Sequence, residues 1–459
     1  MTGLEALMWR LGADDPRFAA TMSLVVELDG PVPRAALRRR LSRLCTSVPR
    51  LAERVQEAPV GVVPPRWEPD PAFSVERHVG EAAGPLWDAA ASVVATSFPA
   101  GRPPWRVVVA SSAPGALVLH LHHSYTDGLG GVRLIGELFD FSAEPAPDGA
   151  PGVVPPAGAL PPAGARPPVG SAPPTGSRAT VVDDMVSEIG RAVGLWTRAL
   201  PWAGRTLGLA ATRPSDLLAD TSAVLSSLQV AAGAATGPAS ALLAERSAGV
   251  ALAPVRMDLE AARATARRLG AKVNDVFLAG LLDGLERYHA KHGSFPASLR
   301  LGLPVSTRRS DIEMHNQVVG AVLRGPLGRL DFDERTRLVH EIVLRHRDQP
   351  WAAVVDELAA GAIRIPGAVP AVAAALASLD VLASNVVGPS APMWLEGVPV
   401  RAMTPIGPRS GAAVNATLLS YSGTAFIGLN LDPAAVADPH VLVDCVAAAF
   451  DEGLAAPGT

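Results

Sequence analysis

The chain is poor in cysteine, in lysine and in net charge, and each shortage removes a class of function. Cys45 and Cys445 are the two cysteines in 459 residues, and neither sits in a Cys-x-x-Cys pair. That rules against a disulfide-stapled scaffold and a thiolate zinc site, and makes a reducing, cytoplasmic setting the expectation. Lys272 and Lys291 are the sole lysines, so arginine carries nearly all the positive charge. With 40 basic residues against 44 acidic ones the net charge is −4. No strongly basic face is implied, and no nucleic-acid partner is expected. No apolar run approaches the roughly 18 residues that read as a membrane span. Residues Met1–Leu11 lack a basic start and an unbroken apolar stretch, so no signal peptide is expected. The apolar stretch 365–377 is broken by Pro366 and Pro370 and reads as a helix against the core. Gly-x-Ser-x-Gly and His-Glu-x-x-His are both absent.

What remains is ample apolar material: hydrophobic residues make up 48% of the chain. That suffices for two domains with substantial cores. Residues 1–143 mix strands (Met22–Leu28, Trp105–Ala110, Ala116–Leu121) with a basic-faced helix, Arg34–Thr46. From Glu144 to Arg178 the composition shifts to Pro, Gly and Ala, which cannot build a core, so 144–178 reads as a flexible linker. Residues 179–203 then place Val182, Met185, Val186, Ile189, Val193 and Trp196 at helical spacing. Such a helix can pack on the core, cover a substrate entrance or touch lipid. The rest of a second lobe, 179–459, alternates helices (Asp258–Leu269, Asn274–His292, Asp333–Arg345) with strands (Leu299–Leu303, Ala412–Ser420, Thr424–Leu431).

The chemistry concentrates in His122-His123-Ser124-Tyr125-Thr126-Asp127-Gly128. Two histidines close an apolar strand, where rigid scaffolds commonly present reactive groups. Asp127-Gly128-Leu129-Gly130-Gly131 reads as a turn, followed by helical spacing over Val132–Phe139. Strand side chains alternate, so His123 shares a face with Leu117, Leu119 and Leu121, and His122 shares the other with His120 and Val118. Adjacent histidines cannot both address one substrate atom, so one works as a base and its neighbour supports it. Asp127 suits a loop-ordering role, bonding backbone amides or an arginine. A rival is metal binding by His120 and His122, two apart on a strand, which would make the protein a hydrolase.

The His122-His123…Asp127-Gly128 pattern resembles the HHxxxDG motif of the CoA-dependent acyltransferase superfamily, and within it the bacterial wax ester synthase/diacylglycerol acyltransferase family. Further segments follow in the family's order. Pro103-Pro104-Trp105 is similar to its Pro-Leu-Trp element, and Val273-Asn274-Asp275-Val276 to its Asn-Asp motif. Pro304-Val305-Ser306-Thr307-Arg308 with Asn316-Gln317, Ser384-Asn385-Val386-Val387-Gly388-Pro389, and Ser420-Tyr421-Ser422-Gly423 resemble later blocks. Pro104 and Val387 depart from the family's leucine and proline.

The resemblance implies an α/β fold of two chloramphenicol-acetyltransferase-like lobes with a channel between them. It implies transfer of a fatty acyl group from acyl-CoA, a co-substrate rather than a resident cofactor, to an alcohol or diacylglycerol. His123 is then the general base, with His122, Asp127, Gly128, Asn274 and Asp275 in support and no metal. Asn274 can serve an oxyanion or cap a helix, and Asp275 more readily caps. The arginines at 308 and 309 can meet CoA phosphates or remain on the surface. Contact with a membrane or lipid droplet would be peripheral. Alternatives are a specialised-metabolism or condensation-type enzyme with a polar or carrier-bound substrate, and a non-catalytic binding protein of the same fold.

Overall fold

The computed structural model describes residues 1–57, 64–111, 115–126, 128–144, 239–306, 318–347, 363 and 368–455. The expected linker beyond residue 144, the helix 179–203, Asp127, Thr307, Arg308, Arg309, Asn316 and Gln317 lie outside these residues.

In chain order the first half runs α1 (Gly3–Asp14), β1 (Thr21–Leu28), α2 (Arg34–Ser47), β2 (Glu53–Gln56), β3 (Arg66–Pro69), β4 (Val79–Ala82), α3 (Leu86–Ala95), β5 (Trp105–Ala110), β6 (Ala116–His122) and α4 (Gly128–Leu138). The second half runs β7 (Ala251–Asp258), α5 (Leu259–Leu269), α6 (Val273–Lys291), β8 (Ser298–Ser306), β9 (Val318–Pro326), α7 (Phe332–Arg347), α8 (Ala368–Ala377), β10 (Val381–Val386), β11 (Trp394–Leu395), β12 (Val398–Ile406), β13 (Val414–Tyr421), β14 (Thr424–Leu431) and α9 (Pro439–Ala455).

Two mixed sheets organise the described residues, in strand orders β11-β12-β1-β6-β5-β4 and β7-β14-β13-β10-β8-β9. Alternation along the first sheet sorts its side chains into two layers. Leu24, Val26, Leu117 and Val107 meet Leu37 and Leu41 of α2 and Val132 and Ile135 of α4. Val25, Val108 and Val118 meet Ala90 and Val93 of α3 on the opposite face. Each fully buried aliphatic side chain contributes about 1.5–3 kcal/mol, which holds the helices to the sheet. The second sheet buries Leu301, Leu418 and Ile427 against Phe277 and Leu281 of α6 and Val446 and Phe450 of α9. The apolar stretch around α8 packs on Leu7 and Leu11 of α1, as expected of a core-facing helix.

Two expectations change. Residues 394–406, assigned to the second lobe, supply β11 and β12 to the first sheet, with Val25 opposite Thr404 and Val26 opposite Met403. Tyr421 of β13 ties the sheets at this crossing: its hydroxyl donates to the Val400 carbonyl at 2.9 Å and accepts from the Met393 N–H at 2.9 Å. Within the expected turn at 127–131, the described residues 128–131 belong to α4, which begins at Gly128.

Candidate active site

β6 ends in the histidine pair, and main-chain bonds clamp that end from both sides. The His122 N–H donates to the Pro104 carbonyl at 2.9 Å, and the His123 N–H to the Ala20 carbonyl at 2.7 Å. The chain then tightens into a 3-10 turn, His123–Tyr125. Tyr125 anchors this turn by stacking on Trp67, ring centroids 4.7 Å apart, and by donating to the Glu53 carbonyl at 2.9 Å.

The two neighbours are divided in role. His122 is buried, and its Nδ1 accepts from the Ser124 N–H at 3.2 Å, which assigns the proton of the neutral ring to Nε2. Its ring packs against Trp9 at 4.9 Å. Burial, then the neighbouring His123, pushes its pKa down to about 3. His122 therefore stays neutral and holds the turn. His123 instead lines a cavity of about 310 Å³.

Both halves of the chain build this cavity. One wall is apolar, with Leu41, Leu44, Trp105, Leu119, Ile135 and Leu138 from the α2 and α4 side of the first sheet. The other carries polar groups: Ser23, Arg106 and His120 from the first sheet, and Ser384, Asn415 and Thr417 from the second. Gly128 lets the two halves approach. A Cβ there would lie 2.9 Å from Val386 Cγ2, inside van der Waals contact, so glycine is the residue that fits.

His120 also lines the cavity, although it is only 1% exposed. Its Nδ1 lies 2.7 Å from Ser23 Oγ, and its ring stacks on Phe98 at 4.8 Å. Burial, then Arg106 and His122, brings its pKa down to about 3. His120 and His122 are thus engaged with separate partners rather than converging on one point. Among the described residues no three His, Cys, Asp or Glu side chains are grouped to hold a metal ion.

The Asn-Asp pair is not brought to this cavity: neither Asn274 nor Asp275 is among its lining residues. Asp275 caps α6 by accepting from the Lys272 N–H at 2.9 Å, and it accepts from His340 Nδ1 at 2.7 Å. Asn274 occupies the first turn of the same helix. Tyr421 and Ser420 also serve structure, with Ser420 Oγ accepting from the Gly388 N–H at 3.1 Å. The polar wall from the second sheet, Asn415 and Thr417, was not singled out in the sequence. Its only local sign is the alternation of polar residues at 415 and 417 within an apolar strand.

Comparison with known proteins gives a consistent picture. A family model described as the wax ester synthase/diacylglycerol acyltransferase catalytic domain matches residues 1–277, and one for the WS/DGAT C-terminal domain matches residues 315–452. A Mycobacterium tuberculosis protein named as a diacylglycerol O-acyltransferase is 27% identical, covering 99% of this chain and 91% of its own. A second from that organism is 25% identical, over 95% and 92%. Among solved structures, a wax ester synthase/diacylglycerol acyltransferase from Marinobacter aquaeolei superposes with a TM-score of 0.57 at 17% identity, covering 94% of this chain and 93% of that one. The first condensation domain of the CDA synthetase gives 0.56 at 16% identity, over 99% and 96%. These structural likenesses establish the shared two-lobed α/β fold.

Proposed function

The chain belongs to the wax ester synthase/diacylglycerol acyltransferase family, and from that premise we propose that it moves a fatty acyl group from CoA to a lipid hydroxyl with His123 as general base. The protein is an acyltransferase, and its products are oxygen esters of the wax ester or triacylglycerol type. The observation that carries the base assignment is that His123 lines a cavity walled by both halves of the chain, while its neighbour His122 is committed to Ser124.

In this reading the acceptor hydroxyl gives its proton to the His123 imidazole as its oxygen attacks the thioester carbonyl carbon. The carbonyl electrons move onto oxygen, and the tetrahedral intermediate is held by polar groups of the cavity wall. Collapse restores the carbonyl and breaks the carbon–sulfur bond. The CoA thiolate leaves and takes the proton from the imidazolium, which returns His123 to its neutral form. No acyl-enzyme forms, so no nucleophilic serine or cysteine is needed. The apolar wall around Leu41, Leu44 and Ile135 suits a fatty chain better than a polar donor.

Lipid contact in this reading is peripheral. Among the described residues no helix is long and apolar enough to cross a membrane. Val387, next to the lining residue Val386, is 59% exposed and offers an apolar contact beside the cavity. The reaction is tested by incubating the protein with palmitoyl-CoA and either hexadecanol or dioleoylglycerol, then identifying products by mass spectrometry. Ester formation with at least one acceptor is expected. CoA release without ester would identify a thioesterase and overturn the reading.

A further inference from the structure

Ser23, His120 and Arg106 lie directly opposite one another on β1, β6 and β5. All three line the cavity, on the sheet face opposite Leu119 and Leu121. The polar row is therefore a part of the cavity wall that differs in chemistry from the apolar part that suits an acyl chain. Within it the His120 ring is fixed on two sides, by Ser23 at Nδ1 and by Phe98 across its face. The Arg106 guanidinium has other partners: its Nη2 donates to the carbonyls of Thr96 and Ser97, and it covers Phe98 at 4.7 Å. His120 Nε2 is buried and bonds no protein atom. A buried polar atom without a partner costs about 1–3 kcal/mol, so the site favours a ligand that supplies one.

We propose that His120, set by Ser23, is a specificity-determining residue that donates from Nε2 to an ester carbonyl of a glycerolipid acceptor. When Ser23 Oγ donates to Nδ1, the ring proton is left on Nε2, and a carbonyl oxygen is the acceptor that matches it. The ring stays neutral because burial holds its pKa down to about 3, so it recognises an oxygen dipole rather than an anion. His120 and His123 both line this one cavity. A glycerol backbone can therefore present its hydroxyl to one imidazole and an ester carbonyl to the other. A simple alkanol has no second oxygen to offer. The proposal rests on the acyl-transfer reading and names the acceptor class for it.

The test uses the full chain and two soluble acceptors, 1,2-dioctanoylglycerol and 1,2-di-O-octylglycerol. They share the hydroxyl and the carbon count and differ in the two carbonyls. Equilibrium dialysis measures binding, and acylation by palmitoyl-CoA is followed on the same pair. Wild type is expected to bind the diester about tenfold more tightly than the diether. His120→Asn keeps a polar atom near Ser23 but loses the Nε2 position, and the preference should fall to about twofold or less. His120→Gln keeps a donor near the Nε2 position and should retain the preference, which a merely structural role would not predict. Equal binding by wild type, or a preference that survives His120→Asn, overturns the proposal. A preference dependent on His120 without acylation leaves the subsite standing and removes the transferase reading. Acylation of both lipids with no such preference does the reverse.

Discussion

Acid weakens this fold through His120 and His122 before most carboxylates titrate. Both rings are buried neutral, with pKa values lowered to about 3 chiefly by burial. In the unfolded chain each titrates near 6.5. The unfolded state therefore binds more protons below pH ~6.5, and stability falls as the pH drops toward the folded pKa. Each ring withdraws about 1.4 kcal/mol per pH unit across that window, or about 2 kcal/mol at pH 5. Together they remove about 4 kcal/mol, a large share of the ~5–15 kcal/mol typical of a domain. His78 and His289, also lowered by burial, act in the same direction. His292 opposes them: its bond to the Tyr288 carbonyl, then Asp438, raises its pKa, but it is largely solvated and weighs little. Urea unfolding followed by circular dichroism at pH 7.5, 6 and 5 measures the effect. His120→Phe and His122→Phe should each flatten the pH slope, even where they lower stability at pH 7.5. A wild-type stability unchanged between pH 7.5 and 5, or identical slopes in the variants, would refute the burial argument.

Three other outcomes are expected. Gly128→Ala sets a methyl 2.9 Å from Val386 Cγ2 and should cost about 1–3 kcal/mol with loss of activity; Val386→Ala in the same chain should recover most of both, read from a double-mutant cycle. Asp275→Asn should lower the melting temperature, with a cost of about 1–2 kcal/mol from the weakened cap and the weakened His340 bond, whereas Asn274→Ala should leave kcat/KM within about threefold. Ile135→Trp fills the apolar wall and should cut turnover of palmitoyl-CoA about tenfold or more while sparing butyryl-CoA, measured as thiol release.

How far the residues alone disclose this arrangement depends on the range of the interaction concerned. The strand Ala116–Leu121 and the histidine pair at its end are legible because alternation and an apolar run act within a few residues. Strand Thr424–Leu431 is legible for the same reason, and the structure gives the same limits. The transfer of β12 into the first sheet is not, because its register with β1 joins residues nearly 380 apart. The Ser23–His120 contact is hidden likewise until the β1–β6 register is known. Glycines 128, 130 and 131 point locally to a turn, yet α4 begins at Gly128, where Val386 leaves little room for a side chain. Asn274, which the motif leaves open to an oxyanion or a capping role, sits in the first turn of α6 and is not among the residues that line the cavity.

The central claim is that the His123 imidazole removes the acceptor proton. It is tested most directly by thiol release and ester formation from palmitoyl-CoA in wild type and His123→Ala, with circular dichroism confirming the fold of both. A fall of about 10²–10⁴-fold in kcat/KM is the predicted result. Retention of activity within about threefold in a folded His123→Ala protein would contradict the account.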